Sequence, residues 1–119
     1  MTIENDNSEL LRDVLQVVAS KWTAMILCRL KNGSQRYGEL EKSLPSISQK
    51  MLTQSLKELE RDGIIMRTAY PVVPPKVDYT LTTLGESLIL PLNGLLQWAE
   101  EHILEVEQAR TDYQTRENK

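Results

Sequence analysis

This chain has little of what most catalytic or metal-binding sites are built from. Its 119 residues include one cysteine, Cys28, and one histidine, His102. A lone cysteine permits no intramolecular disulfide and no cysteine-based zinc site. A single histidine starves both a metal centre and a histidine-centred triad, and no glycine-rich phosphate loop is present. No catalytic residue, metal site or cofactor is therefore expected, and an enzyme is the least favoured class. No apolar run approaches the ~18 residues that a membrane helix requires. The opening residues, MTIENDNSELL, are acidic where a secretory leader would be basic and then apolar. A cytoplasmic protein with no membrane partner is the expectation.

What is present is an ordinary globular composition, 40% apolar and 26% charged, enough for one domain with a modest core. The net charge of −3 is unevenly spread. Residues 29–76 hold nine Lys and Arg against five Asp and Glu, while both flanking segments are acidic. Phosphate contacts depend on the local field rather than on the total, so a basic middle segment is compatible with nucleic-acid binding.

Residues 1–7 read as a disordered polar lead. Ser8 is the expected N-cap of a first helix whose apolar face is Leu10, Leu11, Val14, Leu15, Val17 and Val18. A second helix fits residues 21–31, with Trp22, Ile26, Leu27 and Leu30 on one face and Asn32-Gly33 as its stop. Cys28 lies there as a small hydrophobe. A short helix over residues 36–44 follows, with Tyr37, Leu40 and Leu44 facing the core.

Residues 45–63 form the most informative stretch. With a period of 3.6, Leu52, Leu56 and Leu59 fall on one stripe, while Lys50, Gln54, Lys57 and Arg61 lie opposite with Thr53 at the margin. Either Ser46 or Ser48 can cap this helix, and Gly63 closes it. By itself such a polar face is also that of any solvated helix. A short helix, a tight connection and a second helix, however, is helix-turn-helix spacing. Two β-compatible runs come next, residues 64–70 and 77–81, joined by Pro71-Val72-Val73-Pro74-Pro75 at a tip that can be neither helix nor central strand. That hairpin completes a winged helix-turn-helix in a mainly α (α+β) chain. Thr83 with Glu86 then reads as a capping box opening a long helix striped by Leu88, Leu92, Leu95, Leu96, Ala99, Ile103 and Val106, with Trp98 close by and a kink expected at Pro91. His102 is expected to be a solvated interface residue. The apolar stripe exceeds what a domain of this size covers alone, so a homodimer is expected. The domain is expected to span residues 8–106, with a fraying polar tail over 107–119.

The sequence resembles the HxlR-type winged helix-turn-helix transcriptional regulators of bacteria. The resemblance is carried by Ser20-Lys21-Trp22-Thr23, Arg36-Tyr37-Gly38-Glu39-Leu40 and Ile47-Ser48-Gln49-Lys50-Met51-Leu52-Thr53-Gln54. It continues through Leu56-Lys57-Glu58-Leu59-Glu60-Arg61-Asp62-Gly63 and the wing, Tyr70-Pro71-Val72-Val73-Pro74-Pro75-Lys76-Val77-Asp78-Tyr79. Leu81-Thr82-Thr83-Leu84-Gly85 and Trp98 close it. The resemblance implies a dimeric regulator on a pseudo-palindromic double-stranded DNA operator, dimerised through its first and last helices. Leu10, Leu11, Val14, Leu88, Leu92, Leu95, Trp98, Ala99 and Ile103 are the interface residues this implies. Many members carry a cysteine just ahead of the first helix, and some sense oxidants through it. That region here reads Asn7-Ser8-Glu9-Leu10, so no thiol switch is carried over, and Cys28 stands elsewhere.

On this reading Lys50, Thr53, Gln54 and Lys57 are the candidates for base-edge and groove contacts. Ser48 and Gln49, at the helix N-terminus, suit phosphate. Arg36, Arg67 and Lys76 are candidate phosphate or minor-groove contacts. A winged helix that docks onto another protein is the alternative. A small-molecule effector is compatible with the fold, but no residue pattern demands one.

Overall fold

The computed structural model describes residues 7–118. Eight elements follow in order: helices α1 (Ser8–Val18) and α2 (Lys21–Leu30), strand β1 (Gln35–Arg36), helices α3 (Tyr37–Ser43) and α4 (Gln49–Arg61), strands β2 (Ile65–Tyr70) and β3 (Lys76–Leu81), and helix α5 (Thr83–Glu117). The architecture is mainly helical with a small antiparallel sheet, as expected of a winged helix-turn-helix. The described chain falls into two compact units that divide between Ile89 and Leu90.

The first unit is built around apolar positions set by helical period. Ile26 and Leu27 of α2, Leu40 of α3, Leu44 just after it, and Leu52 and Leu59 of α4 are all fully buried, with Leu56 at 2% exposure. Strand residues Ile65 and Tyr79 close the core from the sheet side. Burying each such aliphatic side chain contributes about 1.5–3 kcal/mol. Thr23 is buried among them and stays satisfied: its hydroxyl donates to the Val17 carbonyl at 2.7 Å, joining α1 to α2. Ser20 caps α2, its hydroxyl accepting from the Thr23 backbone N–H.

Several local expectations shift. Residues 1–6 of the anticipated lead lie outside the described residues. Asn7 rather than Ser8 occupies the N-cap of α1, and its carbonyl accepts from the Leu11 N–H at 2.8 Å. Of the two serines ahead of α4, Ser48 is the cap, accepting from the Met51 N–H at 3.1 Å. The sheet has a third strand: β1 pairs antiparallel with β3, giving the order β1-β3-β2. Arg36 therefore belongs to a strand and to the cap position of α3, where its N–H donates to Glu39 Oε1 at 2.8 Å. The anticipated hairpin forms between β2 and β3, with Arg67 opposite Tyr79 and Tyr70 opposite Lys76.

The cap of α5 is Thr82, one residue before the anticipated Thr83. Its hydroxyl accepts from the Gly85 N–H at 3.0 Å and reaches the carbonyls of Gly63 at 2.6 Å and Ile64 at 3.0 Å. One side chain thereby fastens the end of α4 to the start of α5. Gly63 has φ 74°, the left-handed conformation anticipated at a helix stop. Gly85 is needed for another reason, since a Cβ there would sit on the Ile64 carbonyl oxygen. Gly85→Ala is expected to lower stability by roughly 1–3 kcal/mol, the usual range for forced overpacking. Thermal unfolding checks this, and an unchanged Tm contradicts the packing described.

In the second unit α5 runs on through Pro91 and ends at Glu117, so the helix continues past the boundary anticipated at residue 106. Side-chain pairs four residues apart line this extension: Gln108 with Asp112 at 2.9 Å, and Thr111 and Thr115 each donating one turn back. Such pairs support a helix without an apolar stripe. His102 stacks on Trp98, and its Nδ1–H donates to the Trp98 carbonyl at 2.8 Å. No described helix is long and apolar enough to cross a membrane.

Candidate nucleic-acid interface

The face of α4 opposite its buried leucines carries Gln49, Lys50, Thr53, Gln54 and Lys57, and these five side chains line one open groove. All are exposed except Thr53, which is half-buried. The arrangement follows from the helix itself, since residues at i, i+3, i+4 and i+7 share a face. Ser48 sits at the end of this face with its oxygen already engaged as the cap.

Below the face, Tyr37 braces α4. Its hydroxyl donates to the Gln49 carbonyl at 3.3 Å and lies 2.9 Å from Thr53 Oγ1. Tyr37 was anticipated only as a core residue. Its ring is half-buried as expected, but periodicity does not report where a phenolic oxygen ends. A small cleft beside it is lined by Tyr37, Thr53, Lys57, Glu60, Arg67 and Tyr79 among others, so Arg67 of the wing lies close to the α4 face.

Lys76 leaves the wing tip at the start of β3, with its Nζ 5.0 Å from the centre of the Tyr70 ring. That contact holds an ammonium over an aromatic face and keeps it at the base of the tip. The tip itself is open, with Val73 99% exposed.

The basic residues differ in availability. Arg36 lies 3.9 Å from Asp78, its neighbour in register on β3, so part of its charge is countered there. Arg61 forms two hydrogen bonds to Asp62, at 2.8 and 3.2 Å, which also raise its pKa above the ordinary arginine value. Arg29 donates to the Ser43 carbonyl and ties α2 to the end of α3. Among the described residues the ion pairs are those of Arg36 and Arg61, and Lys50, Lys57, Arg67 and Lys76 take part in neither. The uncommitted positive charge of the first unit thus includes the α4 face and the wing. No group of metal-ligating side chains is found among the described residues.

The residues anticipated at a dimer interface divide by exposure. Leu95, Trp98 and Ile103 are open, at 60%, 56% and 56%, and Ala99 is exposed beside them. On α1, Leu10 is 59% exposed while Leu11 and Val14 are half-buried. Leu88 is half-buried, and Leu92, at 6%, is already covered within the chain. Cys28 is free and half-buried in α2.

Comparison with known proteins agrees with this arrangement. The HxlR-like helix-turn-helix family matches residues 17–107. The HTH-type transcriptional regulator YtcD of Bacillus subtilis is 49% identical over 75% of this chain and 71% of its own length. The structure of the transcriptional regulator YtfH from Salmonella typhimurium superposes with a TM-score of 0.74 at 42% identity, covering 84% of this chain and 89% of that one. The redox regulator HypR in its reduced form superposes with a TM-score of 0.73 at 37% identity, covering 82% and 97% respectively. With the helix-turn-helix, the wing and the matched span all in place, the chain belongs to the HxlR-like helix-turn-helix family of DNA-binding transcriptional regulators.

Proposed function

We propose that the protein binds a pseudo-palindromic operator as a homodimer, with α4 in the major groove and the β2–β3 wing on the backbone or minor groove. The observation that carries this is the gathering of Gln49, Lys50, Thr53, Gln54 and Lys57 on one open face of α4, with both lysines outside any ion pair among the described residues. In the major groove Gln pairs bidentately with adenine, Lys donates to guanine and the Thr methyl meets the thymine methyl. Ser48 and Gln49, at the positive end of the helix dipole, take phosphate. Arg36, Arg67 and Lys76 add phosphate or minor-groove contacts, Arg36 with the least free charge.

The homodimer reading is supported by the exposed apolar side chains of α5, Leu95, Trp98, Ile103 and Leu104, and by Leu10 of α1. Exposed aliphatic and aromatic groups concentrated along one helix mark an interaction surface. A two-fold dimer presents two α4 helices and so reads two half-sites.

Operator titrations at several salt concentrations test the assignment. Gln54→Ala is expected to relax sequence preference at one position per half-site. Lys76→Ala is expected to weaken binding to all sequences and to reduce the salt slope by about one. If both variants bind every duplex as the parent does, the assignment fails, and absence of any salt-dependent binding favours protein docking instead.

A further inference from the structure

We propose that Tyr37 is a positioning residue that decides which bases Thr53 accepts. The inference rests on the reading of α4 as the DNA-reading helix and extends it to a residue that touches no base.

Tyr37 has one phenolic proton and two oxygen neighbours. The Gln49 carbonyl, 3.3 Å away, can only accept, so the bond to Gln49 takes that proton whenever it is made. In the 2.9 Å contact between the same phenolic oxygen and the Thr53 hydroxyl either oxygen can donate, so both bonds form together only when Thr53 supplies its own proton. The relay is directional: Thr53 O–H donates to Tyr37, and Tyr37 O–H donates to the Gln49 carbonyl. A free threonine hydroxyl rotates to donate or accept as its partner requires. Thr53 here has spent its proton and offers a base only lone pairs and a methyl group.

That restriction has a consequence in the major groove. Guanine presents only acceptors there, N7 and O6, whereas adenine and cytosine present amino donors and thymine presents a methyl group. A threonine held as an acceptor therefore disfavours guanine at the base it faces. Tyr37→Phe keeps the ring in place, removes the relay and returns the proton to Thr53.

The test is competition binding with duplexes that carry each of the four bases at every half-site position. The parent is expected to disfavour guanine at one position per half-site by about tenfold, within the usual range for one specific contact. In Tyr37→Phe that penalty is expected to shrink by about fivefold, with the pattern at other positions retained. In a Thr53→Val background the hydroxyl is already gone, so adding Tyr37→Phe is expected to change no base preference. Uniform weakening of every duplex by Tyr37→Phe assigns Tyr37 a purely structural role and overturns the inference. So does a shift of equal size with and without the Thr53 hydroxyl, or a base profile that Thr53→Val leaves intact. Failure of the parent to bind any duplex overturns the DNA reading of α4 and this inference with it, an outcome distinct from the other three.

Discussion

Reversing both lysines of the α4 face, Lys50→Glu together with Lys57→Glu, is expected to reduce operator affinity on the order of a thousandfold at moderate salt. Each lysine removed forfeits one charge-assisted contact worth about 1.5–3 kcal/mol. Each glutamate added brings a like charge against the phosphates, which penalises binding further. The fold should survive the change. Both side chains are exposed, and neither takes part in an ion pair among the described residues. A glutamate at position 50 lies in the first turn of α4, where the helix dipole favours an acid. Circular dichroism should therefore match the parent while binding, followed by fluorescence anisotropy, disappears. Near-parental affinity in the double variant would show that the charge of this face is not directed at DNA.

The second large effect is expected at α5. Leu95→Asp with Ile103→Asp places two carboxylates in the α5 stripe at side chains that are more than half exposed, Leu95 at 60% and Ile103 at 56%. If the stripe is the dimer interface, each substitution buries an unpaired charge on association. The desolvation penalty is several kcal/mol per ion. The variant is expected to sediment as a monomer at concentrations where the parent is a dimer, and to bind a two-half-site operator no better than a single half-site. Leu92 would not serve for this test. It is 6% exposed within the chain, so a charge there would disturb folding before assembly. A variant that remains dimeric would move the interface elsewhere.

The parts of the fold that were legible in the sequence are those written as period and punctuation. Leu52, Leu56 and Leu59 repeat with helical spacing, and all three are buried. Gly63 stops α4 in the conformation only glycine adopts freely, and the proline-rich run marks the turn between β2 and β3. What escaped was set by groups distant in sequence. Strand β1 is two residues long and exists because β3 offers an edge, which no local pattern reveals. Thr82 outcompeted Thr83 as the cap because its hydroxyl also reaches the carbonyls of Gly63 and Ile64, nineteen and eighteen residues away in sequence. α5 runs beyond its last apolar position because its final turns are lined by polar pairs, which leave no apolar stripe in the sequence. Arg36 reads as a free basic residue in the sequence, and only the folded chain shows it beside Asp78.

The candidate site divides in the same way. A helix face is a property of spacing, so the sequence already groups Lys50, Thr53, Gln54 and Lys57, and the structure places them with Gln49 along one groove. The brace beneath that face was not legible. Tyr37 belongs to a different helix, and only folding brings its hydroxyl to Thr53, sixteen residues away. The same holds for Lys76, whose ammonium rests over Tyr70 because the hairpin register sets them opposite each other.

The central claim, that two copies of α4 read DNA through one face, is tested most directly by the sequences the purified protein selects from a random duplex pool. The account predicts a two-fold-symmetric motif whose half-sites are centred one helical turn apart, about 10–10.5 base pairs, or a multiple of that. Gln54→Ala should select the same spacing with one position per half-site degenerate. A pool that yields no enriched motif, or a single asymmetric site whose sequence is indifferent to Gln54, would contradict it.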